Sequence, residues 1–339
     1  MIAERLAAQL LSGPAATSPE LVVERLLAVQ AQDPRAARLS IRSRSVGLTA
    51  ADVDDALTVR RSLAIAWLAR GTLHLVKAAD YWWLHPLTTP QLVVGNARRL
   101  AEEGVSPAQA DRGVEVIGRA LRSDGPRTRP QLRALLDGAG VPTARQALIH
   151  VLVAASLRGP VIRGPMVDGE QAFVDARDWW GPAPPALNRD EALARLARRY
   201  LAGHGPADAA DLAKWAGIGL GQARRGLAAI TADLVERPDG LVDLRGRKRP
   251  PPLPPPRLLG PFDPILHGWV SREPFVGAHQ GVVTSNGLFR AVALVGGRVV
   301  ATWGLAGGHV TLRLLEPIAP EVTDALDADA NAVLNFLDG

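Results

Sequence analysis

The sequence predicts an α+β fold with a helical first part and a mostly β last part. Up to about residue 245, short capped helices are followed three times by a glycine-rich β element, the pattern of a winged helix-turn-helix. After a proline-rich linker at residues 246–256, short valine-rich runs alternate with hairpin turn signals. We therefore predict three tandem winged helix-turn-helix units at residues 1–95, 96–187 and 188–250, and a β-rich domain at residues 257–339.

The first unit begins with a helix at residues 2–11 and a second helix with clear boundary signals. Ser18 is a favourable N-cap and Pro19 suits the first helical position. Apolar residues at near-helical spacing continue toward Pro34, whose ring disfavours helical geometry at Asp33. The spacing predicts a helix that ends close to Asp33.

The other elements follow from caps, period and turn residues. Further helices are predicted at residues 49–57 (capped by Thr49), 79–86, 107–121, 128–136 (capped by Thr128), 143–157 (capped by Thr143), 188–201, in a segment ending at 215, and at 220–230. Strands are predicted at residues 70–76, 158–165, 171–174, around 234–244, and at 281–284, 289–295, 298–303 and 310–315. Ser285-Asn286-Gly287 and Gly296-Gly297 are hairpin turn signals, and residues 321–337 close the chain as a helix.

The composition is that of an ordinary globular protein. The 339 residues are 47% hydrophobic and 22% charged, and their number favours more than one domain. No apolar run is long enough to span a bilayer, and the N-terminus lacks a signal-peptide pattern. There is no cysteine, which excludes disulfides, thiolate metal sites and cysteine nucleophiles. We expect a cytoplasmic protein.

The cationic residues are almost all arginine, and the formal net charge is +5. Such a basic excess fits a polyanionic partner, and the guanidinium fork suits phosphate. A GC-rich genome would also replace lysine with arginine, so the charge alone does not assign the partner. Candidate DNA contacts are Arg35, Arg38 and Arg42 in a basic segment, Arg145 near a predicted helix start, and Arg224 and Arg225. For each of them the alternative is a solvated surface side chain.

Several common chemistries are missing from the sequence. It has no phosphate-binding Gly-x-x-x-x-Gly-Lys loop, no dinucleotide fingerprint and no Gly-x-Ser-x-Gly elbow. The seven histidines have no metal-ligand spacing. We therefore expect neither a cofactor nor a metal.

Two glutamines flank one small apolar residue at Gln30-Ala31-Gln32. On a regular helix they would diverge by roughly 200°, so they converge on one point only if the backbone changes course there. The predicted helix end provides such a change. The alternative is a pair of solvated glutamines at a helix terminus.

Short motifs occur in order along the chain. They are Gln30-Ala31-Gln32, the segment 70–76, Arg199-Tyr200-Leu201, Gly205-Pro206-Ala207, the segment 211–215, the segment 258–264 running to Arg272, the segment 297–300 and Thr302-Trp303. Through them the sequence resembles the winged-helix DNA glycosylases of the AlkZ-like group, named for azinomycin resistance, over almost the whole chain. A sister branch has aspartate where this chain has Gln32, and Gly260 stands where alanine is expected.

The resemblance implies three winged helices in a C-shape around double-stranded DNA and a β-rich C-terminal part. It also implies hydrolysis of the N-glycosidic bond of alkylated purines, chiefly N7-alkylguanine, and unhooking of interstrand crosslinks. By the same resemblance Gln30 and Gln32 are the catalytic pair. We expect a monomer in the nucleoid. We also expect hydrolysis without strand cleavage, because no lysine is placed as an amine nucleophile.

Thr72 and His74 alternate with Leu73 and Leu75, so they share one face of a predicted strand. Our hypothesis is that this face, with Arg70, lines the same cavity as the glutamines; the alternative is a structural histidine. Two rival functions remain at this point. A non-catalytic winged-helix transcriptional regulator would be a dimer on a palindromic site, and a damage sensor would bind lesions without chemistry.

Overall fold

The computed structural model describes residues 1–284 and 286–339, and it contains both helices and strands. The helices are α1 (Ile2–Ala8), α2 (Pro19–Leu26), α3 (Pro34–Arg42), α4 (Ala50–Thr58), α5 (Ala78–Thr88), α6 (Pro90–Glu102), α7 (Pro107–Asp124), α8 (Arg129–Gly138), α9 (Ala147–Arg158), α10 (Ala176–Trp180), α11 (Arg189–His204), α12 (Ala209–Ala216), α13 (Leu220–Ala228), α14 (Glu273–Val276) and α15 (Pro320–Asp338).

The strands are short, and the pairs formed among β2 to β11 are antiparallel. They are β1 (Val29–Gln30), β2 (Leu63–Trp67), β3 (Leu73–Lys77), β4 (Val161–Val167), β5 (Glu170–Asp175), β6 (Leu234–Glu236), β7 (Val242–Leu244), β8 (Arg257–Leu259), β9 (Val292–Val295), β10 (Arg298–Ala306) and β11 (His309–Leu314).

The chain forms two compact units. Unit 1 combines Met1–Asp54 with Asn188–Gly339, and unit 2 is Asp55–Leu187. The finer division into winged helices at residues 1–95, 96–187 and 188–250 and a domain at 257–339 stays a prediction.

In unit 1 the start of α2 is as predicted and its end is not. The hydroxyl of Ser18 accepts a hydrogen bond from the backbone N–H of Leu21 at 3.3 Å, and Pro19 is the first helical residue. The helix stops at Leu26, well before Pro34, because Leu27 has a left-handed backbone (φ 66°). The chain then continues as the short extended strand β1.

The C-terminal part of unit 1 is a four-stranded sheet in the order β11-β10-β9-β8, packed against α15. Two glycines with positive φ, Gly296 and Gly297, make the predicted turn between β9 and β10. The predicted strand at 281–284 is wrong, since only an isolated bridge joins Val283 to Phe289. In the turn signal predicted at Ser285-Asn286-Gly287, Ser285 lies outside the described residues.

Unit 2 is built on a sheet in which β3, β2, β4 and β5 lie in that order. The strands predicted at 70–76, 158–165 and 171–174 therefore lie in one sheet, which the pairing of Ile65 with Arg163 holds together. Trp67 stacks on Phe173 with ring centroids 6.4 Å apart. Every residue of β2 is buried, and β3 is buried on both faces as far as Val76.

Two predicted boundaries in unit 2 are wrong. Helix α5 does not close near Pro86 but runs to Thr88, whose hydroxyl donates to the carbonyl of Leu84 at 2.9 Å and supports the last turn. Helix α9 begins at Ala147, because the hydroxyl of Thr143 donates to the Asp137 carboxylate at 2.5 Å instead of capping a helix.

Candidate active site

The two glutamines do not lie at a helix end, so that prediction is wrong: Gln30 closes the short strand β1, and Gln32 lies in a bend just before α3. Along this segment burial alternates: Val29 and Ala31 are buried, whereas Gln30 is half-buried and Gln32 is exposed. Val29 and Ala31 therefore anchor the backbone in the core, and both amides remain at least partly accessible.

Helix α3 follows the pair at once and is capped by the next residue. The carboxylate of Asp33 accepts hydrogen bonds from the backbone N–H groups of Arg35 at 2.8 Å and Ala36 at 3.3 Å. Pro34 takes the first helical position, where its missing N–H costs nothing. The cap at Asp33 fixes where α3 begins, and it therefore holds the backbone directly after Gln32.

The far end of α3 is held by two ion pairs. Arg42 donates to both carboxylate oxygens of Asp329 on α15, at 2.8 and 2.5 Å. Beyond the helix, Arg44 donates to both carboxylate oxygens of Asp263, at 2.8 and 2.7 Å, and both of these side chains are fully buried. Arg42, predicted as a DNA contact, thus has a structural partner, and α3 has little freedom to move.

The predicted arginines of this segment differ in environment. Arg35 is exposed beside a groove of about 380 Å³ whose other walls include Phe262, Phe289 and Leu288. Arg38 forms an ion pair with Asp54 and donates to the carbonyl of Pro34 at 2.8 Å. The structure therefore brings one exposed cation and an aromatic wall to the start of α3, directly after the glutamines.

Arg70, Thr72 and His74 come together within unit 2. The ring Nδ1 of His74 lies 3.0 Å from the carbonyl of Thr72, and burial together with the nearby charge of Arg70 lowers the His74 pKa to about 3. Burial also lowers the pKa of Arg70 to about 10. His74 is therefore a neutral imidazole at pH 7. That this face lines the same cavity as the glutamines stays a prediction.

Arg145 is the remaining predicted contact. It lies in the turn before α9 with a left-handed backbone (φ 51°), and its Nε is 3.2 Å from the carboxylate of Glu103. Its side chain is 75% exposed, so it remains accessible to a ligand in spite of this ion pair. Arg225 is also exposed, and it pairs with Asp190.

The sequence analysis missed Phe262, Phe289 and Arg163. The two phenylalanines lie in different segments, and their ring centroids are 5.9 Å apart. Arg163 lies within a predicted strand, where period two gave no sign of a functional role. Phe262 lies in the motif segment 258–264, but no local pattern marks its contact with Phe289 or the site of Arg163, because these depend on distant parts of the sequence.

The described residues contain no group of histidines and carboxylates arranged to hold a metal ion. In the same part of the chain, none of the helices has the length and apolar character needed to cross a membrane.

The chain is similar to known proteins in both sequence and structure. The family model described as "DNA glycosylase AlkZ-like" matches residues 23–336. Among solved structures, the Streptomyces sahachiroi DNA glycosylase AlkZ is similar with a TM-score of 0.81 and 22% sequence identity, over 98% of this chain and 95% of that chain. No curated protein sequence matches. At this identity the structural likeness concerns the fold.

Proposed function

Because the chain belongs to the AlkZ-like DNA glycosylase family, we propose that it hydrolyses the N-glycosidic bond of N7-alkylguanine and unhooks interstrand crosslinks formed through that nitrogen. Gln30 and Gln32 are the proposed catalytic pair. The observation that carries this proposal is the alternation of burial along Val29 to Gln32, which leaves both amides at least partly accessible directly before the capped helix α3.

The substrate class follows from what an amide can and cannot do. A glutamine is not a base at neutral pH, but its carbonyl can accept a hydrogen bond from water while its NH₂ donates elsewhere. Most hydrolases of glycosidic bonds use carboxylates to protonate the leaving group or activate the nucleophile. Amides suffice only where the leaving group departs readily without a general acid.

An N7-alkylguanine is such a leaving group because it carries a positive charge. When the bond between C1′ and N9 breaks, its electron pair passes to the purine and neutralises that charge. The deoxyribose becomes oxocarbenium-like, the water oxygen forms the new bond to C1′, and its proton passes to solvent. Gln30 and Gln32 orient this water, so the gain is one of position. Normal bases, which would leave as anions, are poor substrates.

The groove beside Arg35 suits a nucleotide. Phe262 and Phe289 give this groove an aromatic wall, in which the Phe289 ring stacks on His267 with centroids 4.7 Å apart, and Arg35 offers a donor for a phosphate.

Two of the amines of unit 1 are held by other groups, which favours hydrolysis without strand cleavage. A lyase needs an amine nucleophile. The Nζ of Lys214 donates to the carbonyl of Val270 at 2.9 Å, and the N-terminal amine pairs with Glu4 at 2.8 Å. We therefore propose a product with an intact strand and an abasic sugar.

The test is incubation of the protein with a duplex that holds one N7-methylguanine, followed by gel analysis with and without hot alkali. We expect strand breaks only after alkali. Gln30→Ala and Gln32→Ala each slow single-turnover cleavage on the order of 10²-fold, the usual size of a lost positioning group. A crosslinked duplex, analysed on a denaturing gel, tests unhooking.

The matched control is Gln91→Ala, which removes an exposed glutamine that donates to the carbonyl of Thr88 in unit 2. It should retain wild-type rates. Lesion binding without cleavage by the wild-type protein would instead indicate a damage sensor. Unchanged rates in both site variants would refute the catalytic pair.

A further inference from the structure

Unit 2 contains a basic cavity that the proposed chemistry does not use. It has a volume of about 540 Å³ and lies between α8 and the hairpin β4–β5. Arg129 and Arg133 from α8 and Arg163 from β4 line it, together with the carboxylates of Asp137 and Glu170.

Arg163 is a largely buried cation without an anion. Its guanidinium carbon lies 4.3 Å from the centroid of the Phe173 ring and 5.5 Å from that of Trp67. Its Nε is buried without a hydrogen-bond partner, and in the described part of the chain it forms no ion pair. Burial, with a contribution from the charge of Arg129, lowers the Arg163 pKa to about 10.

A largely buried guanidinium without an anion lowers the stability of the protein when no ligand is bound. A buried charge normally has a partner, because its lost hydration must be replaced. Arg129 and Arg133 are exposed and likewise form no ion pair with any described residue. The two carboxylates do not fill the gap: Asp137 accepts the Thr143 hydroxyl, and Glu170 is exposed at the end of the hairpin. Three arginines thus line one cavity, and no described residue forms an ion pair with them. An external anion would supply that partner.

The guanidinium groups that line the cavity indicate which class of ligand it would bind. Planar guanidinium forks match the oxygens of a phosphate, and Arg129 lies in the first turn of a ten-residue helix, whose dipole also favours an anion. The aromatic rings nearby are covered by Arg163, so a stacked base is not favoured there.

We propose that the cavity lined by Arg129, Arg133 and Arg163 binds one phosphate of the DNA backbone, which makes the hairpin β4–β5 a second DNA contact in addition to the glutamine segment. This inference rests on the proposed function for its partner, DNA, and its test does not require catalysis.

The test measures the affinity for an unmodified duplex between 50 and 200 mM salt by fluorescence anisotropy. Each phosphate neutralised contributes about 0.9 to the slope of log K against log salt. The triple variant Arg129→Gln, Arg133→Gln, Arg163→Met should lose about this slope, and at 0.1 M salt it should bind about eightfold more weakly.

A charge-matched control removes three exposed arginines from the helices α6 and α7: Arg98→Gln, Arg112→Gln and Arg119→Gln. It should keep the wild-type slope, and an equal loss in this control overturns the proposal. The double variant Arg129→Gln, Arg133→Gln keeps the buried Arg163, so a partial loss of slope in it excludes misfolding as the cause.

Inorganic phosphate distinguishes a DNA phosphate from a small free anion. If phosphate raises the melting temperature of the wild type but not of the triple variant, while both have the same DNA slope, the cavity is a small-anion site and the proposal is wrong. Loss of slope in the triple variant supports the proposal even if the wild type fails to cleave N7-methylguanine, because that failure concerns the proposed function alone.

Discussion

At the scale of single residues, the proposed reaction depends on two side chains that carry no charge. Gln30 closes the strand β1 and Gln32 lies in the bend before α3, so neither is subject to the divergence that a helix would impose. Ala31 between them is 1% exposed, so any larger side chain there would have to displace core atoms. The small residue between the amides is thus a packing requirement.

His74 gives a prediction about pH. Its pKa is about 3 in the folded protein, lowered mainly by burial, and about 6.5 in an unfolded chain. Between these values the unfolded chain binds the extra proton, so stability is present above pH 6.5 and is lost as the pH falls. The expected loss from this residue between pH 7 and 5 is about 2 kcal/mol. Urea unfolding at both pH values measures it.

The comparison that isolates His74 uses two variants. His74→Gln should show a smaller loss of stability between pH 7 and 5, whereas His309→Gln, at an exposed position, should match the wild type. Identical pH dependence in all three proteins would mean that His74 is not buried as a neutral ring. The cleavage rate of a His74→Ala protein at pH 7 tests a separate role in the site, and full turnover excludes one.

At the scale of elements, α3 is the platform of the proposed site, and its cap is open to test. Asp33→Ala removes the side chain that accepts from Arg35 and Ala36, which should cost about 1 kcal/mol of unfolding free energy. Because the frayed turn adjoins Gln32, the single-turnover rate should fall as well. Asp33→Ser restores the cap and should recover most of both quantities.

A second capped helix in the same unit serves as control. Asp208 caps α12 by accepting from the N–H of Asp211 at 2.8 Å, and Asp208→Ala should lose similar stability with an unchanged cleavage rate. Equal rates in the Asp33→Ala and Asp208→Ala proteins would mean that the cap does not position the glutamines.

The predictable elements are those whose signals are local. Ser18 is an N-cap as the sequence indicates, and the helix predicted from residue 188 is capped by Asn188, which accepts from the N–H of Glu191 at 2.9 Å. The errors come from tertiary contacts that override local preference. Leu27 adopts a left-handed backbone while its side chain is fully buried, and Thr143 finds a carboxylate six residues away.

The contrast between local signals and contacts of distant segments also applies to the candidate site. The sequence alone indicates Gln30 and Gln32 and the exposed Arg35, but it gives the backbone at the pair the wrong geometry. Gly260 is instructive, because the resemblance favours alanine there. A Cβ at this position would lie 2.8 Å from the Cβ of Leu39, so the close approach of the segment after β8 to α3 requires glycine. Such a contact between distant segments leaves no local pattern.

At the scale of the molecule, most motifs that carry the family resemblance hold unit 1 together. The hydroxyl of Tyr200 donates to the carbonyl of Gly268 at 2.7 Å, and the indole N–H of Trp269 donates to the carbonyl of His204 at 2.9 Å. Asp211 accepts from the N–H of Val270 at 2.8 Å. These contacts join segments about 60 residues apart, so we infer that these motifs stabilise the fold, whereas the glutamine pair is proposed to act in the chemistry.

The ion pair of Arg44 and Asp263 is the strongest test of this view. Both side chains are fully buried, and the guanidinium also donates to Gln9 and Ser43, whereas its Nε is buried without a hydrogen-bond partner. Arg44→Met leaves a buried carboxylate without its partner, so unfolding free energy should fall by about 3–5 kcal/mol in urea titrations. The double variant Arg44→Met, Asp263→Leu leaves no unpaired charge and should regain much of that loss.

Arg225→Ala, which breaks an exposed pair with Asp190, should cost at most about 1 kcal/mol. A loss of that small size in Arg44→Met would mean that water reaches the pair and that the resemblance motifs do not form the core of unit 1.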